Sequence, residues 1–175
     1  MRKIDVEFKE EIVKMATNKR TTKKLTTTNT QKAHKIFDEQ LTVEVYSEVT
    51  NESYELKIDK KFSKTKKLQL NADLLAAAQY AQLNNVDFEF IFIQYALLLT
   101  IKYFTSFGEG MTSNISEQVA ILDKLNDLDL LTSIIEAMPQ DQLKELFESV
   151  AEIHEKYNED LQNIFKDIDE LEKTV

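Results

Sequence analysis

Residues Val86–Phe107 read VDFEFIFIQYALLLTIKYFTSF, and how that stretch is buried decides the fold. It is apolar on nearly every face, and such a helix must be covered on all sides, by its own chain or by a partner. The pattern predicts a helix over roughly 88–105, capped by Asp87 and closed by Gly108 and Gly110. Its most hydrophobic part, Phe90 to Ile101, is about twelve residues and contains Gln94 and Thr100, short of the ~20 apolar residues that span a bilayer. No membrane association is expected, and the expected location is the cytoplasm. The aromatics Phe88, Phe90, Phe92, Tyr95, Tyr103, Phe104 and Phe107 could line a ligand pocket. At helical spacing the expectation is plain core.

The flanking segments look built to cover this helix. On its N-terminal side, ADLLAAAQYAQL (72–83) reads as a helix with Asn71 as N-cap and Asp73 in the first turn, ending at Asn84-Asn85. Its alanines let another helix approach closely. On the C-terminal side, Asn114 with Glu117 forms a capping box that opens a helix carrying Ile115, Val119, Leu122 and Leu125. Asp127 or Asp129 opens a short helix, LLTSIIEAM, and Pro139 suits the first turn of the last one.

Further upstream, LTVEVYSEV (41–49) and YELKI (54–58) alternate apolar and polar residues around the polar turn TNES. Period two on both sides of a turn predicts a β-hairpin, with Leu41, Val43, Val45, Val49, Tyr54, Leu56 and Ile58 on its apolar side. A lone hairpin is marginal in water, so this face must pack on something. The basic KKFSKTKKLQL (60–70) that follows reads as a third strand or a connector, anchored by Phe62, Leu68 and Leu70.

The last helix carries a heptad series. Leu143, Phe147, Val150, His154, Tyr157, Leu161, Ile164, Ile168, Leu171 and Val175 recur at alternating gaps of four and three. A helix of about 36 residues reaches roughly 54 Å, beyond the ~30 Å of a small domain. Its distal part should project or pack on another chain. The candidate protein-interaction residues are therefore Phe147, Val150, His154, Tyr157, Leu161, Ile164, Ile168 and Leu171, and a homo-oligomer is the expected state.

Composition narrows the function. The net charge is −9, which disfavours nucleic acid as the main partner. Two glycines and one proline suit helices better than a strand-rich fold, and with no cysteine there is no disulfide, thiolate metal site or cysteine nucleophile. His34 and His154 are the only histidines, without HExxH, ExxH or an EF-hand loop. Neither GxSxG, GxxxxGK nor GxGxxG occurs. No catalytic, cofactor-binding or metal-binding residue is expected, and no enzyme.

The chain divides by composition into three parts. Residues 1–36 form a basic, threonine-rich extension, in which 2–14 could be a short amphipathic helix and Met15–Lys35 has too few aliphatics to order itself. Residues 37–138 form a hairpin-plus-helix core domain, and 139–175 a long acidic heptad helix. The fold class is mainly α with a small N-terminal β-hairpin (α+β), a multi-helix bundle around a buried central helix.

The order of these elements supports a resemblance. LTVEVYSEV and YELKIDKKF, then IKYFTSF, then NISEQVAILDKLNDLDLLTSII and an acidic final helix resemble the tail assembly chaperones of long-tailed phages and prophages of Gram-positive bacteria, over roughly residues 41–160. The resemblance implies a mainly helical, self-associating, non-enzymatic protein that coats the tape measure protein and recruits tail tube proteins before the tube polymerises. The basic arm before residue 36 is not part of that pattern. A different reading of the same residues is a bacterial structural or regulatory protein that oligomerises through its C-terminal helix.

Overall fold

The computed structural model describes the backbone of residues 22–84 and 92–172, and their side chains as far as residue 156. The expected helix at 2–14, the Asp87 cap, Phe88, Phe90 and Val175 lie outside the described residues.

The chain forms two compact units, Met1–Lys35 and Ile36–Val175. The described part of the first contains one short helix, α1 (Thr27–His34). The sequence suggested a disordered stretch or a linker over Met15–Lys35, and within its described part Thr27–His34 is helical. Thr26 supplies the missing order locally, its side chain accepting from the Asn29 N–H at 3.2 Å, and no residue of α1 is buried.

The second unit opens with the hairpin β1 (Gln40–Ser47) and β2 (Glu52–Asp59), paired antiparallel with Val43 opposite Leu56 and Leu41 opposite Ile58. The turn falls at Glu48–Asn51, two residues earlier than TNES, with Asn51 at φ 57°. Asparagine tolerates that left-handed position better than most residues. Val45, Leu56 and Ile58 are buried as expected, whereas Val49 lies in the turn and is exposed. Both outer edges are engaged. Ser47 Oγ donates to Leu128 O at 2.7 Å, Ser133 Oγ donates to Tyr46 O at 3.2 Å, and Ile58 bridges Thr105.

The basic stretch after the hairpin is neither a strand nor a connector. It is the start of α2 (Lys64–Leu83), whose N-cap is Ser63, accepting from the Lys66 N–H at 3.3 Å. Asn71 is therefore inside the helix, and Asp73 lies well past its first turn. Ser63 takes the cap because its hydroxyl satisfies the Lys66 N–H, and the buried face of the helix begins further on, with Leu70 and Leu74 at i and i+4. The remaining helices are α3 (Phe92–Phe104), α4 (Ile115–Asp127), α5 (Leu130–Ala137) and α6 (Gln140–Glu172). Asn114 caps α4 by accepting from the Glu117 N–H at 3.2 Å. Pro139 sits one residue before α6, and its carbonyl accepts from Gln142 and Leu143.

At the centre is α3, packed against α2, α4 and α5. Phe92, Tyr95, Ala96, Leu98, Leu99, Ile101 and Phe104 are buried, and the aromatic members among them are core, not the lining of a pocket. Thr100 and Thr105 enter this core because each hydroxyl donates one turn back, to Ala96 O and Ile101 O at 2.8 Å. The helix is not covered on every side: Ile93 and Gln94 are exposed. After it, Gly108 passes so close to the Lys102 carbonyl that a Cβ would lie 1.8 Å from the oxygen. Only glycine fits there. Among the described residues no helix is long and apolar enough to cross a membrane.

Candidate interaction surface

The heptad residues divide at the point where α6 leaves the core. Val150 is buried and Phe147 is packed partly buried beside it. His154 lies against the Phe92 ring with centroids 4.6 Å apart. These three face their own chain, which corrects their assignment to an intermolecular seam. Leu146, outside the heptad series, is fully buried with Leu143. A stripe this wide belongs to a helix packed on a globular core and not to a two-stranded seam. The first turns of α6 thus share one compact unit with the hairpin and α2–α5, where the sequence suggested a separate part from 139. Tyr157, Leu161, Ile164, Ile168 and Leu171 fall on α6, with side chains beyond those described.

A different surface stands out. The inner face of α2 buries Leu70, Leu74, Ala77, Ala78 and Ala81. Its outer face carries Leu68, Ala72, Leu75, Ala76, Gln79 and Leu83, with Leu68 59%, Leu75 43% and Leu83 84% exposed. From Leu68 to Leu83 the only charged residue is Asp73, which lies at the flank of this face, part-exposed, and pairs with Lys102 Nζ and Tyr103 Oη, both at 2.7 Å. A solvent-facing helix face normally carries charge. This one, in a chain with 30% charged residues, carries none.

Beside it lies a groove of about 500 Å³ between the first turns of α2 and α6, lined by apolar Phe37, Phe62 and Leu68 and polar Lys64, Asn71 and Gln142, among others. Three contacts tie its walls. The Phe62 N–H donates to Gln142 Oε1 at 3.2 Å, Lys67 Nζ lies 2.9 Å from Glu145 Oε1, and Asn71 Nδ2 donates to Ser149 Oγ at 3.2 Å. Residue numbers rise together on both sides, so α2 and α6 run parallel here. Asn71 Oδ1 is buried without a donor among the described residues.

The buried polar groups elsewhere are structural. Asp59 accepts from Lys66 Nζ at 2.6 Å and Gln40 Nε2 at 3.0 Å. The Tyr95 hydroxyl donates to Gln118 Oε1, and Gln118 Nε2 in turn donates to Thr112 O at 2.7 Å. Burial first, then the Asp73 charge, pushes the Tyr95 pKa above its ordinary range. Tyr103 is pushed the same way by burial and by its hydrogen bond to Asp73. Among the described residues no three carboxylates or histidines gather where they could hold a metal ion.

The sequence reading missed the outer face of α2 because apolar residues on both sides of a helix leave no amphipathic signal. The usable signal was the lack of charge from Leu68 to Leu83.

Fold and surface together define a mainly helical, hairpin-bearing protein whose distinguishing external feature is an uncharged helix face. The chain belongs to the YomO family, whose model matches residues 27–175, from the first residue of α1 onward. That family name is of a Bacillus prophage type and accords with an association with phage or prophage. No curated protein and no solved structure matches the chain.

Proposed function

We propose that the chain acts in phage tail assembly as a chaperone-like, non-enzymatic binder of the tape measure and tail tube proteins. The observation that carries this reading is the uncharged outer face of α2. A chaperone of this kind needs a surface that holds apolar segments and releases them, with charge elsewhere to keep the complex in solution. Leu75 and Leu83 supply the first, and the net charge of −9 supplies the second. The prophage-type family name supports the setting. A structural or regulatory oligomer is the second reading, favoured by the 33-residue length of α6.

Co-expression tests the proposal, with the tape measure protein of a neighbouring gene where the genome carries one. The tape measure protein should stay soluble with the wild-type chain and precipitate with Leu75→Glu/Leu83→Glu. Equal solubility with both would count against the outer face of α2, and absence of any such neighbouring gene would sink the tail-assembly role.

A further inference from the structure

Residues 57–67, KIDKKFSKTKK, hold six lysines and one acid. Of the lysines, Lys66 pairs with Asp59, Lys67 with Glu145 and Lys60 with Glu39; Lys57, Lys61 and Lys64 have no carboxylate within ion-pair distance among the described residues, and Lys61 acts at longer range on Asp141. The basic stretch leads into the groove between α2 and α6, with Lys64 on its wall. In a chain of net −9 this is a local excess of positive charge over an apolar floor.

The complementary segment is in the same sequence. Residues 157–172 hold six acids and one lysine, interspersed with leucine, isoleucine and phenylalanine. Within one molecule the two cannot meet. Since α2 and α6 run parallel from the Lys67–Glu145 contact, an uninterrupted α6 carries its acids away from the lysines. Glu159 to Glu172 lie 14 to 27 residues past Glu145, roughly 20 to 40 Å along the axis at 1.5 Å per residue. That is well past the ~8–10 Å over which charges act at ordinary ionic strength.

We propose that the groove at the first turns of α2 and α6 receives the acidic last turns of α6 from a second copy of this chain. A helix laid in a groove obtains affinity from apolar burial and direction from charge at the rim. The lysines give the direction, and Phe37, Phe62 and Leu68 the apolar floor. Reciprocal insertion makes the same contact twice and closes a twofold dimer. This inference stands apart from the tail-assembly reading, because its groove shares only Leu68 with the outer face of α2 and it needs no second protein.

Sedimentation equilibrium on the full chain tests it. The wild type should show dimers that weaken as salt rises from about 50 mM to about 500 mM. Lys61→Glu/Lys64→Glu and Asp167→Lys/Asp169→Lys/Glu170→Lys should each raise the dissociation constant at least about tenfold, with helical circular dichroism unchanged. Mixing the two variants should restore association, since each then offers the charge the other has lost. A wild type monomeric under all conditions overturns the proposal and leaves the groove to a foreign partner. So does a wild-type dimer indifferent to salt, or a mixture that fails to associate when each variant alone has lost it.

Discussion

Lys67 Nζ sits 2.9 Å from Glu145 Oε1, and this pair fixes α2 beside α6 at the first turns of both helices. Its value is more positional than energetic. Glu145 is largely exposed, and pairs with one solvated member contribute at most about 1 kcal/mol. Glu145→Gln should therefore lower stability by less than about 1 kcal/mol in urea denaturation. A larger loss would mean that the helices depend on the ion pair and not on Leu143, Leu146 and Val150.

The two faces of α2 and the core of α3 should respond very differently to truncation. Leu98→Ala, in the fully buried centre of α3, should cost about 2–5 kcal/mol. Leu83→Ala, on the exposed face of α2, should change the stability of the isolated chain by no more than about 0.5 kcal/mol. Denaturant titration of the two variants beside wild type checks both. A costly Leu83→Ala would show that the outer face is already covered within the chain.

Gln118 joins the Tyr95 hydroxyl to the Thr112 carbonyl inside the core. Gln118→Ala removes the bond to the Tyr95 hydroxyl and the donor to the Thr112 carbonyl, and should cost about 1–3 kcal/mol in denaturant titration.

Much of this architecture was legible because two periods are strong. Alternation at Leu41–Val45 and Tyr54–Ile58 announced the hairpin, and the Asn114–Glu117 spacing announced the start of α4. The start of α2 was not, since its first turn is basic and polar and the buried leucines begin only at Leu70. The inward facing of Phe147, Val150 and His154 was not legible for a related reason. A four-three spacing fits a coiled coil and a core-facing helix equally well, and only the burial of Leu146 between the heptad positions separates them. Nothing in a one-dimensional pattern says that Asp73 pairs with Lys102 at the flank of α2 and leaves its outer face without charge.

Tyrosine ionisation gives a pH test. The Tyr95 and Tyr103 hydroxyls have an ordinary pKa of 10.0, and both are raised in the folded chain. The unfolded chain loses these protons first as pH rises, so above about pH 10 the folded state binds more protons and stability falls. Their contribution is intact below that pH. Thermal unfolding followed across the alkaline range should show the decline, and it should be shallower in Tyr103→Phe.

The uncharged outer face of α2 is the centre of this account, and the absence of cysteine makes it directly addressable. A single Leu75→Cys variant takes an environment-sensitive fluorophore at one position on that face. On addition of a tape measure protein, the partner proposed above, the label's emission should shift to the blue as the face is buried. An unshifted label in a mixture that sedimentation shows to be a complex would contradict the account.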